Sequence, residues 1–139
     1  MTLIRQHGRV VDFDAYGLAD TESGAPMRHD AVMAIASMTK PVTGVAMMML
    51  YEQGLWSLDD PVAKHIPAFA DLKVMRGDGT LEAPRHAPTM RELMSHSAGF
   101  TYGLFGDSTV DRLYREAKPV NPSSTLTAMI DRLARLPLK

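Results

Sequence analysis

No cysteine occurs anywhere in the 139 residues, which excludes a disulfide framework, a thiolate zinc site and a cysteine nucleophile, and leaves the compartment unmarked by redox chemistry. An excess of one charge is missing too. The 15 Lys and Arg stand against 16 Asp and Glu, for a formal net charge of −1, and no basic run stands out. The electrostatic footprint of a nucleic-acid or anionic-membrane binder is therefore absent, and neither is expected as a partner. Long apolar runs are lacking: the longest, Val42 to Leu50, is too short to span a bilayer. The N-terminus Met-Thr-Leu-Ile-Arg-Gln-His lacks the basic-then-apolar order of a signal peptide, so the sequence reads as cytoplasmic. The five His residues follow no metal spacing, and no metal or cofactor is expected. A His-Glu-x-x-His zinc motif, a Gly-x-Ser-x-Gly nucleophile elbow and internal repeats are absent as well.

What is present is ordinary material for a single globular domain, with 45% hydrophobic and 22% charged residues. Thr2 to Arg5 and Arg9 to Phe13 flank Gln6-His7-Gly8 and predict a hairpin. Asp20 to Pro26 reads as a turn-rich loop, and Val32 to Ala36 as a short apolar approach to a helix spanning about Met38 to Gln53. Pro41 fits only in the first turn of that helix, and Gly54 is its natural stop. Asp60 reads as an N-cap ahead of Pro61 and a short helix towards His65. Leu72 to Val74 and Gly77 to Leu81 suggest a small hairpin. Thr89-Met90-Arg91-Glu92 is a capping box that opens a helix closing before Gly99. Helices are expected over Asp111 to Lys118 and Ser124 to Leu136, the latter with an Asp131/Arg135 pair. Met47, Met48 and Met49 are expected to fill core space. Strand signals concentrate at the N-terminus while apolar content lies in helices. A lone hairpin beside several helices leaves an unpaired sheet edge, so further strands are expected outside these residues.

The chemistry is carried by Ser37 and Lys40, a Ser-x-x-Lys pair where the apolar approach meets the helix. Side chains one turn apart share a face, so an amine at the second position reaches the hydroxyl at the first. The amine must be neutral to accept the proton, and burial in the helix is expected to favour that form. The Ser37 N–H, at a helix start, is a candidate oxyanion donor. Asp59 and Asp60 read as caps and His96 as a turn residue. Phe100, Tyr102 and Leu104, in a Gly-rich loop, are candidates for lining a substrate pocket.

Four blocks in order resemble one family: Ile35 to Thr43 around the Ser-x-x-Lys pair, Leu50-Tyr51-Glu52-Gln53-Gly54, Leu58-Asp59-Asp60-Pro61-Val62, and Leu93-Met94-Ser95-His96-Ser97-Ala98-Gly99-Phe100. The chain resembles the serine β-lactamase-like family, nearest to the esterases and transesterases related to class C β-lactamases and penicillin-binding proteins. The resemblance implies an α+β fold with an antiparallel sheet flanked by helices. It implies an acyl-enzyme mechanism with Ser37 as nucleophile and Lys40 as base, acting on a small-molecule ester or amide. It also implies a Tyr motif and a Lys-Thr-Gly-like strand. Tyr16, Tyr51, Tyr102 and Tyr114 do not match that Tyr motif, and no Lys-Thr-Gly is present. Residues 1–139 are therefore expected to form the N-terminal part of such a domain, to be weakly active or inactive alone, and to self-associate or pair with a complementing C-terminal chain. Carboxylesterase is the expected activity, with β-lactamase, D-amino-acid peptidase and acyltransferase open. A non-catalytic fragment or interaction module is the rival from a different class.

Overall fold

The computed structural model describes residues 1–139, which divide into two units, Met1–Val42 and Thr43–Lys139. The first unit is built from short antiparallel pairs. Strands β1 (Thr2–Gln6) and β2 (Arg9–Asp14) form the expected hairpin. His7 and Gly8 both take positive φ, at 47° and 77°, the geometry of a two-residue turn whose twist matches its strands. A second hairpin, β3 (Leu18–Asp20) with β4 (Ala25–Pro26), encloses what the sequence suggested was plain loop. Asp20 organises its turn by accepting from the Glu22 N–H and the Ser23 hydroxyl. The His29 ring lies edge-on to Phe13 at 4.7 Å and contacts its carbonyl. No residue of β1 to β4 is buried, and Val32 is fully exposed.

Helix α1 (Thr39–Glu52) runs through the boundary between the units and ends at Gly54, whose N–H bonds the Tyr51 carbonyl. It carries no buried residue. This corrects the expectation of a buried helix, and with it the assignment of the Met triplet to the core. Met47 alone of the three packs against the core, while Met48 and Met49 are exposed.

The core lies in the second unit, around Trp56, Val62, Phe69, Leu72, Met90 and Leu138. Burying each such side chain contributes about 1.5–3 kcal/mol. Trp56 spends its polar handle well, donating its indole N–H to the Met47 carbonyl at 2.8 Å. A smaller cluster gathers Val110, Tyr114 and Leu136. The elements are α2 (Val62–His65), a hairpin of β5 (Val74–Met75) and β6 (Leu81–Glu82), then α3 (Met90–Met94), α4 (Thr109–Ala117) and α5 (Leu126–Leu133). Leu138 returns to pair in parallel with Val74. The Thr89/Glu92 capping box on α3 is formed.

Two local expectations fail for identifiable reasons. The residue before α2 is Pro61, which has no capping side chain, and the Asp60 carboxylate instead accepts from the Ser57 N–H and pairs with Lys64 and His65. The Lys64 ammonium, first among these partners, pulls the Asp60 carboxyl down to about 2. At the far end, α5 stops at Leu133, which takes Arg135 off the helix and removes the i, i+4 relation with Asp131. No helix of the chain is long and apolar enough to cross a membrane. The short antiparallel sheets and the helices together make an α+β chain.

Candidate active site

Ser37 sits in a single turn of 3-10 helix, Ala36–Met38, that runs directly into α1. Pro41 falls in the first turn of α1, where its missing N–H costs nothing. The Lys40 ammonium donates to the Ser37 hydroxyl, with Nζ 3.2 Å from Oγ. The two residues expected to work together are thus in contact, but both are solvent-exposed, so the burial expected to favour a neutral Lys40 amine is not found in these residues. The turn is entered through Ala36 at φ 45°, a left-handed conformation that costs an alanine roughly 1–2 kcal/mol. That strain turns the backbone so that the next residue begins the helix, and strain of this kind gathers at functional positions. The Ser37 N–H lies in the first turn, where helical geometry supplies no intrahelical acceptor.

The other candidates lie in the second unit. His96 takes φ 59° in the turn that closes α3, its N–H bonding the Leu93 carbonyl at 3.3 Å. Phe100 and Tyr102 line a cavity beside α5, whereas Leu104 does not reach it and lines a neighbouring hollow with Tyr114, Arg115 and Tyr102 itself. Asp59 pairs with Arg91 at 3.0 Å.

The family model described as Beta-lactamase matches residues 2–139. The chain belongs to the beta-lactamase family. Among its relatives, the esterase EstB of Burkholderia gladioli is 34% identical over 115 residues, covering 81% of this chain and 28% of that protein. Protein Rv1367c of Mycobacterium tuberculosis is 31% identical over 119 residues, covering 83% of this chain and 30% of that protein. The human mitochondrial serine beta-lactamase-like protein LACTB is 34% identical over 95 residues, 68% of this chain and 16% of that protein. The chain spans under a third of the length of each of these relatives.

This beta-lactamase-family chain also contains a polar network that sequence reasoning missed. Asp111, buried on α4, accepts from the Ser108 N–H and hydroxyl, from the Thr101 hydroxyl at 3.1 Å and from the Lys139 ammonium at 2.8 Å. Lys139 first, then Ser108, holds its carboxyl well below the usual carboxylate range. Arg115, one turn further on, donates to the Gly103 and Gly106 carbonyls at 2.6 and 2.9 Å and to Asp107 at 2.6 Å. The loop carrying Tyr102, Leu104 and Phe105 is thereby fastened from behind. Gly103 fits because a Cβ there would stand 2.6 Å from the Asp111 carbonyl oxygen. The readable signal was the Ser-x-x-Asp spacing of Ser108 and Asp111, a capping box with a shorter acid.

Proposed function

We propose that the chain carries the nucleophile and base of a serine hydrolase that cleaves carboxylic esters through an acyl-enzyme on Ser37. The observation that supports this most directly is the 3.2 Å contact of Lys40 Nζ with Ser37 Oγ at the start of a helix. With its amine unprotonated, Lys40 takes the hydroxyl proton as Oγ bonds to the substrate carbonyl carbon. The Ser37 N–H is placed to donate to the oxyanion that forms. Collapse breaks the ester C–O bond, and the departing alkoxide leaves with the proton from Lys40. Water then attacks the acyl-enzyme carbonyl as Lys40 takes its proton; collapse breaks the acyl C–Oγ bond, and Lys40 returns that proton to Ser37 Oγ as the carboxylic acid departs. An alcohol in place of water makes the same intermediate an acyl donor. The family therefore accommodates both an esterase such as EstB and a protein named acyltransferase calJ, from Penicillium decumbens.

In this reading residues 1–139 are the N-terminal part of a larger domain. Support comes from the uncovered apolar side chains of the first hairpin, Leu3, Ile4, Val10, Val11 and Phe13, and of α1, Val42, Val45 and Met49. Further strands, in the same polypeptide or in a complementing chain, would cover them and supply a second oxyanion donor. Loss of one such donor typically lowers rate about 100- to 1000-fold, so weak activity is expected of these residues alone. A fluorophosphonate probe tests the nucleophile. Intact mass spectrometry should show one adduct on the folded chain and none on Ser37→Ala; a folded chain that takes no adduct refutes the enzyme reading and favours a non-catalytic scaffold.

A further inference from the structure

The cavity beside α5 has a volume of about 350 Å³, within the range of roughly 300–1,000 Å³ typical of small-molecule pockets. Its walls come from segments far apart in sequence. Phe69 and Phe100 form one side, with ring centroids 5.3 Å apart, and Ala98, Met129, Ile130 and Leu133 contribute to the others.

Two features make this a prepared space rather than a packing defect. First, the wall formed by Thr101 cannot relax inwards. Its hydroxyl donates to Asp111 at 3.1 Å and accepts from the Gly103 N–H at 3.1 Å, and Asp111 is itself fixed by Ser108 and Lys139. Second, those bonds occupy the polar capacity of Thr101, so the interior offers water few partners. A cavity of that kind favours an apolar guest. The remaining polar lining residues, His96 and Tyr102, are both exposed and so stand at the mouth, together with the apolar Val120 and Leu126. An apolar interior with an imidazole and a phenol at its entrance suits a guest with one long apolar part and one hydrogen-bonding end.

We propose that this cavity is a binding site for a medium-chain carboxylic acid or its ester, with the alkyl chain inside and the carboxyl end at His96 and Tyr102. The site is defined without reference to Ser37 and stands or falls separately from the hydrolase reading.

Decanoate titrated into the full chain, followed by methyl NMR, tests it. Saturable one-to-one binding is expected, with shifts at the Ala98, Met129 and Ile130 methyls, and acetate should not compete. Ala98→Leu, which fills the cavity, should weaken binding at least about tenfold. Leu126→Ser at the mouth should weaken it measurably while leaving the fold untouched, and it decides the matter if Ala98→Leu unfolds. Ser37→Ala should bind as the wild type does. Decanoate binding in a chain that takes no fluorophosphonate adduct would refute the hydrolase reading and leave this one standing. Absence of saturation, shifts confined to α1 methyls such as Val45 and Met49, or unchanged affinity in a folded cavity or mouth variant would overturn it.

Discussion

Replacing Tyr114 by Phe removes one hydroxyl from the smaller core and changes nothing else in its shape. Tyr114 is 1% exposed, among Val110 and Leu136, and its hydroxyl lies close to the Thr101 backbone without a hydrogen bond of good geometry. A buried hydroxyl left unbonded costs about 1–3 kcal/mol, so the Phe variant should be as stable as the wild type or more stable by roughly 1 kcal/mol. Tyr114→Ala should instead lose about 3–5 kcal/mol, because the ring leaves a cavity. Burial pushes the phenol from its ordinary 10.0 up to about 12, a shift the Thr101 backbone only partly offsets. Because the raised value belongs to the folded state, the neutral phenol contributes its full stability below pH 10.0 and loses it as pH rises through about 12. Urea unfolding read by circular dichroism, repeated from pH 9 to pH 12, measures both effects. The wild type should lose stability across that window more steeply than Tyr114→Phe. A Phe variant destabilised by more than about 1 kcal/mol would show that the hydroxyl is well bonded and refute the argument.

Three further perturbations follow from named contacts. Ala36→Gly relieves a left-handed alanine at φ 45° and should stabilise the chain by up to about 1 kcal/mol in urea; a loss would mean the turn is not strained. Gly103→Ala drives a Cβ to within 2.6 Å of the Asp111 carbonyl oxygen at a φ of 71°, and should lower Tm by roughly 5 °C or more. Lys64 holds the Asp60 carboxyl at about 2, below its ordinary 3.8, so the contribution of Asp60 is present above pH 3.8 and lost as pH falls through about 2. Acid titration should therefore destabilise the wild type more steeply than Asp60→Asn between those values.

The legible parts of this chain are those that depend on spacing along one element. A separation of three on a helix brings Lys40 to Ser37, and the same periodicity closes the box between Thr89 and Glu92. Features decided by partners elsewhere were not legible. Val42, Val45 and Met49 have core chemistry, yet they are exposed, because an apolar residue records a tendency to be covered and not what covers it. Asp60 has cap chemistry, but Ser57 on one side and Lys64 and His65 on the other compete for the same carboxylate. Asp111 looked like a helix start until the Thr101 hydroxyl and the distant Lys139 ammonium converged on it. Leu104 was grouped with Phe100 and Tyr102 by proximity in sequence, and it lines a hollow that it shares with Tyr102 and not with Phe100.

The parallel bridge between Val74 and Leu138, reinforced by the Lys139 N–H on the Gly99 carbonyl, bears on the order in which the chain becomes ordered during synthesis. The hairpin of β1 and β2 joins near neighbours and can form as soon as it emerges from the ribosome. The second unit must wait for Leu138 to emerge before its larger core can close over Trp56 and Phe69. Until then, a nascent chain of this sequence presents half-formed apolar surface to chaperones.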